Sequence, residues 1–173
     1  MLHKILFLLI ISIIITLFLW CGNSKNPDTP EEFGEAVFRT FQKNNFKNFT
    51  NFLLTKEDVS SIFETIKFDN EKEKAEATAD GLKIPEKVLT RMKERFPQVI
   101  KQGQKSAIKW ESTKFENVIF KTHEKHGKLL HYTIDIIFSY KDLKYKIELL
   151  FCIKAKRGFV IGENVFWKGE VYN

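Results

Sequence analysis

Three histidines surround one predicted turn of the chain. His123, His126 and His131 are separated by two and by four residues, and imidazoles that converge on a hairpin can bind zinc. A closed zinc site needs a fourth ligand, and only Glu124 is near in sequence, while two lysines beside the turn would repel a cation. We therefore expect exposed turn histidines and no metal site.

One carboxylate stands in the middle of a predicted apolar strand. Strands are depleted in carboxylates, which makes Asp135 the best candidate for an acid or a base. The predicted register sets Glu148 opposite Ile137 and diagonal to Asp135, and paired carboxylates can divide acid and base roles. Lys146 and Lys154 lie on the same face, so surface ion pairs are the simpler interpretation of both carboxylates.

The candidate nucleophile is Cys152, in the middle of the next predicted strand. A nucleophilic thiol needs a polarising histidine, and none can be assigned to its face, so we expect a buried and inert thiol. The sequence contains no phosphate-binding loop and no Cys-x-x-Cys pair. We assign no catalytic residue and no cofactor, which favours a binding protein over an enzyme.

The first residues of the chain resemble an export signal. His3 and Lys4 form a positive start, residues 5–20 are apolar apart from one serine and one threonine, and Cys21 begins a polar stretch. Sixteen residues of helix reach about 24 Å, which is short of the roughly 30 Å hydrocarbon core of a bilayer. A positive start followed by a short apolar run is typical of a secretion signal.

The position of Cys21 resembles the lipid-attachment site of bacterial lipoproteins. The resemblance implies that residues 1–20 are removed, that Cys21 is acylated, and that residues 21–29 form a tether. Trp20 stands where this family prefers a small residue, so an uncleaved membrane anchor and an ordinary signal cleaved elsewhere remain as alternatives. Lipid attachment and the uncleaved anchor both hold the domain outside the cytoplasm, at the membrane of the cell envelope.

Basic charge is concentrated in the second half of the chain. Residues 81–173 carry 19 basic and 10 acidic residues, whereas residues 25–80 carry 8 and 12. Only 4 of the 28 basic residues are arginine, the side chain best suited to reading phosphates and base edges. We therefore expect a solubilising lysine surface and no nucleic acid partner.

The alternative interpretation of the lysines is weak binding to anionic lipid or acidic polysaccharide. The densest helical part lies between residues 83 and 109, with eight basic and two acidic residues. On this alternative the binding depends more on a helical lysine set than on a hairpin lysine set. The helical set is Lys101, Lys105 and Lys109; the hairpin set is Lys141, Lys144 and Lys146.

The first half of the chain shows helical periodicity. Residues 29–32 read Thr-Pro-Glu-Glu, a capped helix start, and apolar side chains then recur at helical spacing as far as Phe41. Further amphipathic segments begin near residues 46, 56 and 85, and Pro97 is expected to interrupt the last of them. Because a helix buries one face, we expect the phenylalanines to form a core.

The second half changes to a period of two. Residues 132–140 and 145–153 form a predicted hairpin with a four-residue turn, in which Tyr140 pairs with Tyr145, Ile136 with Leu149 and Ile134 with Phe151. Strands before and after it complete a four-stranded antiparallel meander. Helices followed by strands predict an α+β fold, with the helices on the apolar face of the sheet, as a single domain over residues 30–173.

The order of elements resembles the NTF2-like, or cystatin-like, superfamily over about residues 30–167. Residues 29–33, the helix end at 38–41 and the break at 44–46 carry the resemblance, together with the terminal meander. It implies either a domain that only binds ligands or proteins, or an enzyme with an acid or base in a cavity between helices and sheet. We expect an envelope lipoprotein that binds an unknown ligand or protein. The alternative is a small hydrolase or isomerase-like enzyme that uses Asp135.

Overall fold

The helices and the strands form separate layers, as the α+β prediction requires. The computed structural model describes residues 26–125 and 129–171. The helices are α1 (Pro30–Gln42), α2 (Phe46–Phe49), α3 (Lys56–Thr65), α4 (Glu71–Gly81) and α5 (Ile84–Lys105). The strands are β1 (Lys114–Lys125), β2 (Leu129–Tyr140), β3 (Leu143–Ala155) and β4 (Gly158–Glu170). They form one antiparallel sheet in the order β1-β2-β3-β4, which confirms the predicted meander.

Side-chain caps begin the first helices at the predicted places. The Glu32 backbone N–H donates to Thr29 Oγ1 at 3.2 Å before α1. At α3, Thr55 Oγ1 accepts from the Asp58 N–H, and the Asp58 carboxylate accepts from the Thr55 N–H at 2.9 Å. This reciprocal capping box sets the direction in which α3 leaves the preceding segment.

The prediction that Pro97 interrupts a helix is wrong. α5 runs without a break from Ile84 to Lys105 and contains Pro97. A proline inside a helix removes one backbone hydrogen bond and costs about 3 kcal/mol. Here Phe96 and Val99, on either side of it, are almost completely buried while Pro97 is exposed. Burial of the apolar stripe therefore maintains the helix across the proline.

The β2–β3 hairpin has a tighter turn than predicted. Tyr140 pairs with Leu143, because two residues, Lys141 and Asp142, make the whole turn. Both have positive φ, 50° and 64°, as in the type I′ turn whose twist matches that of the strands. The register therefore moves by two residues and Ile136 no longer faces Leu149. A shift of two keeps every side chain on its face, so Ile136 is fully buried as expected.

A bulge in β3 reverses the faces of its last residues. Phe151 has a φ of 55°, and the register of β3 shifts against both neighbouring strands around it. The register set by the tight turn pairs Ile134 with Leu149, and beyond the bulge Tyr132 pairs with Cys152. Strict alternation along the predicted strand would place Cys152 on the face of Lys146 and Lys154, but in the structure it turns into the main core and is fully buried. Phe151 lies on the opposite side, with its ring centroid 4.4 Å from that of His131.

The inner face of the sheet, which we define as the side covered by α1 and α5, packs through aromatic rings. Phe41 of α1 stacks on Phe96 of α5 with centroids 4.6 Å apart. Phe38 and Trp110 both pack on Phe138 of β2, at 5.1 and 5.5 Å. Three of these phenylalanines are at most 1% exposed, so the prediction that the phenylalanine stripe forms a core is confirmed.

The outer face of the sheet is covered at one end by α3. Val59 and Ile62 of α3 pack against Ile153 and Val160 in a second apolar cluster. These strand residues alternate with Cys152 and the other inner-face residues, so they point to the outer face. The prediction placed all helices on one face. The bulge exposes a second apolar face near the β3–β4 turn, and α3 covers it.

The described chain begins inside the fold. The Asn26 N–H donates to Arg157 O at 2.6 Å, and Asn26 Nδ2 donates to Phe159 O at 2.9 Å. Pro27 O accepts from the Phe159 N–H at 2.9 Å. The last part of the predicted tether is thus attached to the start of β4. The predicted signal and Cys21 lie outside the described residues. Within the described ranges, no helix is both long and apolar enough to span a membrane.

Candidate functional site

An apolar cleft lies between α3, α4 and the outer face of the sheet. It encloses about 410 Å³, within the range of roughly 300–1,000 Å³ that is usual for small-molecule sites. Aliphatic and aromatic side chains from helix, loop and strand line it. Prominent among them are Ile62, Phe63, Ile66, Phe68, Leu129 and Phe151. The arrangement suits an apolar ligand, because few polar groups meet its surface.

The walls of the cleft depend on close helix contacts. A Cβ at Gly81, the last residue of α4, would lie 2.4 Å from the Phe63 ring, so a larger residue there would force this ring to move. Phe63 in turn packs edge-on against Phe68, with centroids 5.8 Å apart. Among the described residues that line the cleft, Glu163 is the one with an ionisable side chain. It is exposed, so a charged group on a ligand would meet it only near solvent.

Asp135 lies on the outer face, outside this cleft. Its carboxylate Oδ2 accepts from Lys146 Nζ at 3.0 Å. Glu148 stands directly opposite Asp135 in β3, which corrects the predicted diagonal arrangement, because the register moved by two residues. Glu148 Oε1 lies 2.7 Å from Lys168 Nζ. Each carboxylate therefore has its own lysine, and neither is placed as an acid or base in an enclosed apolar cavity.

His123 and His131 lie on the outer face of the sheet, near the end where β1 leads into β2. His123 and His131 are cross-strand partners whose rings stack at 5.2 Å, and His123 Nε2 is 3.2 Å from Thr133 Oγ1. His126, the third member of the candidate zinc site, lies outside the described residues. Within residues 26–125 and 129–171 no group of three or more histidine, cysteine or acidic side chains could hold a metal ion.

Cys152 is a free cysteine in the main core. Its complete burial raises the pKa of the thiol well above its ordinary value, because the thiolate would lose its hydration. A nucleophile needs the thiolate, and this thiol stays protonated throughout the neutral range. The side chain therefore acts as a small apolar residue, in agreement with the prediction of an inert thiol.

The sequence did not predict a polar cluster that joins the β3–β4 turn to α3. Arg157 Nε and Nη2 donate to both oxygens of Asp58, at 2.9 to 3.1 Å. The same guanidinium donates to the carbonyls of Asn51 at 2.6 Å and Leu53 at 2.8 Å. Asp58 is only 4% exposed. The capping box was visible in the sequence, but nothing in it indicated that an arginine 99 residues away completes the site.

Comparison with known proteins identifies no relative. No family model matches the chain, and searches of curated proteins and of solved structures found no match. The fold and the site define the class by themselves: an α+β protein with an aromatic core and a separate apolar cleft on the outer face of its sheet.

Proposed function

We propose that the chain is a lipoprotein of the bacterial cell envelope, whose domain binds a ligand or protein without catalysis and has NTF2-like, or cystatin-like, architecture. The abrupt change from apolar to polar residues at Cys21 supports the lipid anchor. Helices followed by a four-stranded meander support the architecture. Anchoring keeps the domain at the membrane, where apolar ligands are concentrated.

The apolar cleft is the observation that carries the binding function. Its volume and its aliphatic and aromatic lining fit an uncharged apolar molecule, and burial of such a molecule contributes about 25 cal/mol per Å² of apolar surface. The enzyme alternative requires Asp135 in an enclosed pocket. Asp135 is instead ion-paired with Lys146 on the outer face of the sheet, which does not meet that requirement.

The binding proposal predicts saturable binding of N-phenyl-1-naphthylamine, an uncharged probe whose fluorescence rises in apolar surroundings. In a chain that begins at Gly22, Ile66→Asp is expected to weaken probe binding at least tenfold, because Ile66 lines the cleft and is half-buried. Leu143→Asp is the matched control, since Leu143 is 44% exposed on a distant hairpin. Fluorescence titration measures both affinities, and circular dichroism checks the fold.

Equal binding by the two variants would place the probe elsewhere and contradict the assignment of the cleft. Absence of saturable binding by the unsubstituted chain would contradict an apolar-ligand site altogether. The salt dependence of probe binding distinguishes its physical cause. Binding driven by apolar burial should persist at 0.5 M salt, whereas binding driven by lysine charge should weaken.

The anchoring proposal predicts that Cys21→Ala abolishes acylation and releases the protein from the membrane fraction. The reason is that the thiol of Cys21 is the proposed attachment point. Intact-mass analysis and membrane fractionation measure the two effects. Cys152→Ala is the control, because Cys152 is buried in the core. A native protein that still begins at Met1 would refute the lipoprotein assignment in favour of the uncleaved anchor.

A further inference from the structure

We propose that the domain stands on the membrane on one particular end of its sheet, the end that carries the β3–β4 turn, with the β2–β3 turn pointing away. Exposed side chains at the membrane-facing end include Leu130, Lys154 and Lys156. The inference rests on the proposed anchoring at Cys21, and it names the surface that then faces the lipid headgroups.

The first argument is where the chain enters the fold. Asn26 is 5% exposed and is hydrogen-bonded to Arg157 and Phe159, at the β3–β4 turn. From residue 21 to residue 26 there are five peptide units, which reach at most about 18 Å when fully extended. A lipid on Cys21 therefore holds this turn within about 18 Å of its attachment point.

The close fit around the turn prevents the entry point from moving. Gly158 has a φ of 110°, and a Cβ there would lie 2.2 Å from Asn26 O, so the chain before α1 lies directly on the turn. The Arg157 guanidinium holds the same turn to Asp58 and to two backbone carbonyls. The proposed anchor is thus attached to an end of the sheet that the Arg157 cluster holds to α3.

The second argument is the length of the sheet. Lys144, next to the β2–β3 turn, is eleven residues from Ala155 along β3, which corresponds to roughly 35 Å at 3.3 Å per residue. The helical lysine set ends beside Trp110, whose ring contacts Phe138 and Trp167 near that same distant end. Both lysine sets compared in the sequence analysis therefore lie far from the anchor.

The third argument is the surface itself. Lys154 and Lys156 are exposed, and Leu130 is 54% exposed, so two ammonium groups and one aliphatic side chain can meet a headgroup layer. Glu64 lines the same shallow depression as the two lysines and offsets part of their charge. The short attachment therefore determines the orientation, and the two lysines strengthen the contact with an anionic surface.

Site-specific photocrosslinking of the full acylated chain in phospholipid vesicles tests the proposal. Lys156 or Lys144 is replaced by p-benzoylphenylalanine, and lipid adducts are counted by intact-mass analysis after illumination. Both lysines are exposed, Lys156 in the β3–β4 turn and Lys144 next to the β2–β3 turn, so the two variants form a matched pair. We expect at least fivefold more lipid adduct at position 156, in phosphatidylcholine vesicles and at high salt as well as in anionic vesicles.

Each outcome has a defined meaning. If the full chain does not float with the vesicles, the proposed anchoring fails and this inference fails with it. If the chain floats but the two positions give equal or reversed adduct yields, the anchoring stands and the orientation is overturned. If the preference appears only in anionic vesicles at low salt, charge rather than the short attachment orients the domain, which also overturns the inference. Because Cys152 is fully buried, a thiol reagent should not modify it in either variant, and this control verifies the fold.

Discussion

Replacing Arg157 by alanine is expected to lower the free energy of unfolding by about 3–5 kcal/mol. The substitution leaves the Asp58 carboxylate, 4% exposed, without the guanidinium that contacts both of its oxygens. It also removes the donor to the exposed carbonyl of Asn51 and to the part-buried carbonyl of Leu53, and an unsatisfied buried acceptor costs about 1–3 kcal/mol. Urea unfolding of the chain that begins at Gly22 measures the change.

Two further variants separate this cluster from an ordinary ion pair. Arg39→Ala removes an exposed arginine that pairs with Glu35 one helical turn away, and should change stability by no more than about 0.5 kcal/mol. Arg157→Lys keeps the charge but loses the planar fork, so most of the loss should remain. An Arg157→Ala change as small as that of Arg39→Ala would show that Asp58 is satisfied without the guanidinium.

The second large effect is expected at the centre of the core. Phe41→Ala should lower the free energy of unfolding by about 3–5 kcal/mol, because it removes a fully buried ring. That ring contacts Phe49, Phe96 and Trp110 with centroids 4.6 to 6.2 Å apart, and its loss leaves a cavity that these rigid neighbours fill poorly. Thermal and urea unfolding both measure the loss.

Phe120→Ala is the matched control for the core prediction. Phe120 is 42% exposed on the edge strand β1, so truncation removes less buried surface and opens no closed cavity. We expect a loss of about 1 kcal/mol or less. Similar losses at the two positions would mean that the interior between α1 and α5 is loosely packed, contrary to the ring contacts described above.

The layer architecture could be predicted from the sequence because it depends on local periodicity. A helix and a strand each place their apolar residues on one face, and spacing alone reveals both patterns in residues 30–66 and 132–153. The assignment of residues to a buried face tolerates errors in the strand register. The hairpin register was wrong by two residues, yet Ile136 and Leu149 are both fully buried, because an even shift changes no face. The continuity of α5 through Pro97 was not predicted. The local rule that proline ends a helix was overridden there by burial of the apolar stripe in the core.

The candidate cleft could not be predicted from the sequence. It exists because the bulge at Phe151 turns the end of β3 over and creates an apolar outer face for α3 to cover. One residue with positive φ changes the direction of every side chain after it, and a non-glycine residue at that place carries no recognisable signal. The cleft also brings α3 and α4 together with strand residues that are distant from these helices in the sequence.

The sequence by itself thus determined the order of elements, the helix caps and the aromatic core, since each follows from local spacing or from the chemistry of one residue. Tertiary structure alone decided the pairing of Arg157 with Asp58 and the separation of Asp135 from every enclosed cavity described here. It also decided the entry of the chain at the β3–β4 turn. Those features depend on which distant backbone segments the packed core brings together, and hydrogen bonds between such segments leave no periodic trace in the sequence.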